Sequence, residues 1–127
     1  MSSADVEIDG VKTELLASWS KDGDAVLLSA MVDSDQAART VGISSGDQAA
    51  HEDIQPATEG QIPMPVQLEV RVPVTDPYGP VRLSVMVGGE HWKKGAEVPR
   101  RTIEFSPDRT AVDADTGKRL KQHYSHL

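Results

Sequence analysis

Between Val66 and Val87 the chain alternates apolar and polar side chains almost without a break. Val66, Leu68, Val70, Val72 and Val74 share one parity against Gln67, Glu69, Arg71 and Pro73, and Val81, Leu83, Val85 and Val87 share one against Arg82, Ser84 and Met86. A period of two marks strands with one buried face. Setting Val74 opposite Val81 brings every large apolar residue to the same side, so the pattern predicts a hairpin closed by "TDPYGP". Its Pro and Gly suit a turn, and Pro73 and Pro80, which cannot donate ladder hydrogen bonds, mark strand ends.

The same alternation runs through Val11, Thr13, Leu15, Ala17 and Trp19 and through Val26, Leu28, Ala30 and Val32, with Asp22-Gly23 between them. It predicts a second hairpin. A helix over 25–39 is the competing reading, because "AVLLSAMVDSDQAAR" is rich in Ala and Leu. "VEIDGVK" adds a short strand ending at Gly10, and "RTVGIS" one at 39–44. Residues 45–63 show no period and read as a long irregular loop with one helical turn at 47–53. "RRTIEF" is a strand with Ile103 and Phe105 inward, and "RTAVDADTGKRL" a terminal hairpin turning at Asp115-Thr116-Gly117. Many short strands with frequent turn signals predict an all-β antiparallel sandwich, immunoglobulin-like in broad architecture. The length suits a single domain over residues 1–127.

Composition narrows the function classes. Leu, Ile, Val and Phe make up 28 of the 127 residues, with two Trp, two Tyr and one Phe, so the core is thin and largely aliphatic. Few flat rings weigh against a carbohydrate or single-stranded nucleic-acid platform. The absence of Cys removes disulfides, thiolate metal sites and Cys nucleophiles. The polar start, "MSSADVEIDG", is not a secretory leader, and no apolar run approaches a membrane span, so a cytoplasmic protein without a membrane partner is expected.

Charge is polarised within the net −7: residues 1–60 carry −9 and residues 61–127 carry +2. Head-to-tail pairing of one copy's acidic half with another's basic half is therefore expected as one mode of association.

The short motifs carry little chemistry. Gly42-Ile43-Ser44-Ser45-Gly46 has the G-x-S-x-G pattern of a nucleophile elbow, but the strand-to-helix context is missing and a flexible Gly/Ser turn is expected. Asp113-Ala114-Asp115-Thr116-Gly117 begins like a calcium loop, yet its Gly arrives early and Tyr124 stands where the closing Glu belongs. His123 and His126 sit three apart at the chain end, too few for a metal site. Glu52-Asp53 reads as a solvated pair. No catalytic constellation, metal site or cofactor is expected.

What remains is "GGEHWKKGAEVPRRTIEF", where His91, Trp92, Lys93, Lys94, Arg100 and Arg101 gather in an acidic chain. Trp and Arg are favoured at the centres of protein interfaces. Arg101 shares the parity of Ile103 and Phe105 and falls at the strand's rim, whereas Arg100 points to solvent. The expected function is a non-enzymatic protein-interaction or structural assembly module that binds a protein partner or itself as a homo-oligomer. A nucleic-acid-binding accessory domain using the basic loop 91–101 is the alternative, opposed by the net acidity. A small hydrolase-type enzyme comes third.

Overall fold

The computed structural model describes residues 2–33, 39–54, 60, 65–76, 78–89, 99–108 and 110–120. Nine strands account for nearly all of it: β1 (Ser2–Ile8), β2 (Val11–Trp19), β3 (Ala25–Val32), β4 (Arg39–Ser45), β5 (Gln48–Ile54), β6 (Val66–Pro73), β7 (Val81–Gly89), β8 (Arg100–Phe105) and β9 (Ala111–Asp113). Among the described residues there is no helix, and none long and apolar enough to cross a membrane. The strands form two antiparallel sheets, ordered β1-β2-β3-β6 and β5-β4-β7-β8-β9. Their apolar faces meet in one shared core, a sandwich-like arrangement.

Local chemistry sets the turns. Asp9-Gly10 joins β1 to β2 with both residues at positive φ, 51° and 78°, the conformation that matches the twist of a two-residue hairpin and that Gly adopts without steric cost. The β2–β3 hairpin has the predicted parity, Trp19 opposite Val26 and Thr13 opposite Val32. At its turn the Ser20 hydroxyl donates to Asp24 Oδ1 at 2.8 Å and accepts the N–H groups of Asp24 and Ala25. Residues 25–32 are strand and not helix, because every second residue, Val26 to Val32, is buried against the core.

Two expectations are corrected. The first is the predicted pairing of 66–74 with 81–87. β6 pairs with β3, and β7 lies between β4 and β8 in the other sheet, so "TDPYGP" crosses between layers. Leu68 and Val70 do share the core with Val81, Leu83, Val85 and Val87, but from the opposite wall. An alternating pattern reports which face is buried, and two strands facing each other across ~10 Å of core alternate just as two neighbours do. The second correction is the long loop at 45–63: residues 48–54 are β5, joined to β4 through Gly46-Asp47 with Gly46 at φ 57°. β5 is an edge strand whose residues are mostly exposed, so burial imposes no period on "QAAHEDI"; backbone pairing with β4 orders it, with only Ile54 buried in the core and Ala50 packed against it.

The connections β3–β4 and β6–β7 both cross between the sheets, with β3 beside β6 in one and β4 beside β7 in the other. This interlock holds the layers in register. Two buried side-chain polar atoms lack a hydrogen-bond partner among the described residues: the Trp19 indole Nε1 and Thr13 Oγ1, the latter on an inward-facing residue whose register neighbours are Val6 and Val32. A buried hydroxyl without a hydrogen bond opposes folding, so Thr13→Val, nearly the same shape, should stabilise the protein by about 1 kcal/mol. Thermal unfolding checks this; a lowered midpoint would show that the hydroxyl is satisfied.

Candidate functional site

Of the six residues expected to form a partner site, His91, Trp92, Lys93 and Lys94 lie outside the described residues. Arg100 and Arg101 open β8 and part company as their parity requires. Arg100 is exposed on the outer face of the second sheet, its guanidinium 3.7 Å from Met86 Sδ. Arg101 turns to the edge, where Nη1 meets Asp113 Oδ2 at 3.0 Å and Nε donates to the Glu7 carbonyl at 3.2 Å. One guanidinium thus ties β8 to β9 and to the first sheet's edge strand β1.

Asp113 is the anchor of that clamp. Its side chain is 5% exposed against 46% for Arg101, and its second oxygen accepts the N–H groups of Asp115 and Thr116. The predicted turn at Asp115-Thr116-Gly117 follows from this, with Gly117 donating to the Asp113 carbonyl at 2.7 Å. Burial alone would push the Asp113 carboxyl up, but the two backbone N–H groups and the Arg101 guanidinium outweigh it and hold the carboxyl below its ordinary value. Arg101 thereby helps to hold this edge of the fold.

The remaining motifs resolve into structure. Gly42 to Ser45 are ladder residues of β4, not a flexible turn: Ser44 lies opposite Ala49 and Ser84, and the Ser45 hydroxyl donates to the Arg82 carbonyl at 2.6 Å. Glu52 and Asp53 are exposed on β5, Asp53 accepting from Thr40 at 2.9 Å. His123 and His126 lie outside the described residues. Among the described residues no group of three His, Asp or Glu side chains could hold a metal ion.

The feature that sequence reading passed over is the outer face of the first sheet. Strand register arranges it in rows: Asp5, Glu14, Met31 and Gln67; Ser3, Leu16, Ser29 and Glu69; Ser18, Leu27 and Arg71. Leu27 and Met31 are 42% and 36% exposed, and Leu16, on the neighbouring strand, lies diagonal to both. Three apolar side chains, Leu27 and Met31 exposed and Leu16 half-buried between the buried Ser3 and Ser29, therefore sit in the middle of the outer face. A hollow of about 200 Å³ lined by Ser18, Trp19, Leu27 and Arg71 continues the patch at one end. At the other end a hollow of about 380 Å³ is bordered by Asp5, Glu7, Lys12, Glu14 and Asp33. The sequence did carry the signal: in "ELLASW" and "AVLLSAMV", Leu16, Leu27 and Met31 are apolar residues on the polar parity of their strands.

No family model matches the chain, and neither a curated protein nor a solved structure matches it.

Proposed function

We propose that the chain is a non-enzymatic protein-interaction or assembly module that docks a protein partner on the outer face of its first sheet. The observation that carries this reading is the out-of-phase cluster Leu16, Leu27 and Met31, apolar at the centre and charged around it, which is the anatomy of a protein interface. Asp5, Glu7, Glu14 and Glu69 outnumber Lys12 and Arg71 on that face, so the partner presents basic groups around an apolar contact. We also read the architecture as immunoglobulin-like in the broad sense of two packed antiparallel sheets joined by crossing connections. The shared core supports that reading, although three consecutive strands side by side in β1-β2-β3-β6 depart from the order A-B-E-D of constant-type domains.

An amphipathic Lys/Leu peptide serves as the probe. Titrated into labelled protein, it should shift the NMR signals of Leu16, Leu27 and Met31 in wild type, with the shifts lost in Leu27→Glu at unchanged thermal midpoint. Shifts spread evenly over both sheets, or none, would overturn the reading.

A further inference from the structure

We infer that the partner is a second copy of this chain, its second sheet's outer face seated on the Leu16, Leu27 and Met31 face of the first, so that copies stack head to tail. The inference rests on the docking reading above and names the occupant. Two copies joined through their first sheets would bring together two faces on each of which Asp5, Glu7, Glu14 and Glu69 outnumber Lys12 and Arg71, and this excess of acid on both sides disfavours a two-fold pairing of that face.

The second sheet's outer face has the opposite balance: Arg82, Arg100 and Arg119 against Asp53 and Glu104. Arg82 and Glu104 are already paired at 3.0 Å and Asp53 accepts from Thr40, so among the described residues the cations of that face outside the Arg82 pair are Arg100 and Arg119, the latter near enough to Asp108 to act on its carboxylate. Beside Arg100, across β7 and β4, the outward-facing residues are small except for Met86. Ser44, Ser84 and Thr102 form one half-buried row, the hydroxyls of Ser84 and Thr102 bonded to each other at 3.1 Å, and next to it the Met86 methyl covers the buried Gly42, where an added Cβ would stand 3.2 Å from that methyl. The Leu16, Leu27 and Met31 patch can settle against Met86 and this row of small residues, while Arg100 and Arg119 on the β8 and β9 side meet acids of the first sheet.

The two faces point in opposite directions, so every added copy leaves one of each exposed. The association does not close, and it produces linear stacks. With sheets packed ~10 Å apart within and between copies, the rise per copy is about 20 Å.

Two variants decide the matter. Leu27→Glu disables the acidic face, and the double variant Arg100→Ser/Arg119→Ser disables the basic one; all three side chains are exposed, so both proteins should keep the wild-type thermal midpoint. Analytical ultracentrifugation of wild type should show a mean mass that climbs steadily with concentration, and each variant alone should stay monomeric. Mixed, the variants should form a dimer of one of each and nothing larger, because only one intact face remains on each. A wild type that stays monomeric or stops at a fixed dimer, or a mixture that stays monomeric, would overturn the inference. If the Lys/Leu peptide still marks the Leu27 face in that case, the docking reading stands and only the identity of the occupant falls; if it does not, both fall.

Discussion

Replacing Phe105 with Ala should cost about 4 kcal/mol, the usual penalty for emptying a buried aromatic site whose walls cannot collapse. Phe105 is the only Phe in the chain and is wholly buried, held between Val81 on β7 and Ala111 on β9. Its neighbours in the core are fixed by ladders on both sides of β8, so the void left by the ring cannot be filled by a shift of one strand. For a chain of this size the loss corresponds to a fall of roughly 15 °C in the thermal midpoint. Phe105→Leu, which keeps most of the volume, should cost about 1 kcal/mol. Equal midpoints for the two variants would show that the ring is not the keystone of this end of the core.

The second large effect belongs to Asp113. Asp113→Ala removes the acceptor of two backbone N–H groups and of Arg101 together, and should destabilise by about 3 kcal/mol. Arg101→Ala leaves a carboxylate still held by the backbone and gives up a half-exposed ion pair, so about 1 kcal/mol is expected. The pH dependence has a definite sign. Since the folded Asp113 carboxyl titrates below its unfolded value, the stability it contributes is present in full above the ordinary carboxylate range and is lost as pH falls through the lowered folded value. Asp108, exposed and hydrogen-bonded by the hydroxyl and N–H of Thr110, is shifted in the same direction and adds to the same acid limb. Denaturant unfolding of Asp113→Asn between pH 7 and the acid limit should therefore show a flatter acid limb than wild type. An unchanged limb would mean that Asp113 is not the group that titrates.

These two residues also show where sequence reading reached and where it stopped. The inward parity of Ile103 and Phe105 was legible because a strand has only two sides and burial chooses one. Arg101 at the rim followed from the same rule. Its engagement by Asp113 and by the Glu7 carbonyl was not legible, since that contact depends on β9 and β1 arriving at the same edge of β8. The outer-face cluster was legible in principle. Leu16, Leu27 and Met31 break the parity of their own strands, but they become one patch only when β2 and β3 pair in register.

The sequence by itself determined the strands of the core, their inward faces and most of their turns, because alternation, Asp-Gly and Pro act over a few residues and need no partner. Tertiary structure decided which strands are neighbours. It put β6 and β7 on opposite walls where a hairpin was expected, drew β5 out of an apparent loop, and gathered three out-of-phase apolar residues onto one open face. Pairing is chosen by backbone hydrogen bonds and core closure between segments far apart in the chain, and a period-two pattern carries no record of which distant strand supplies them.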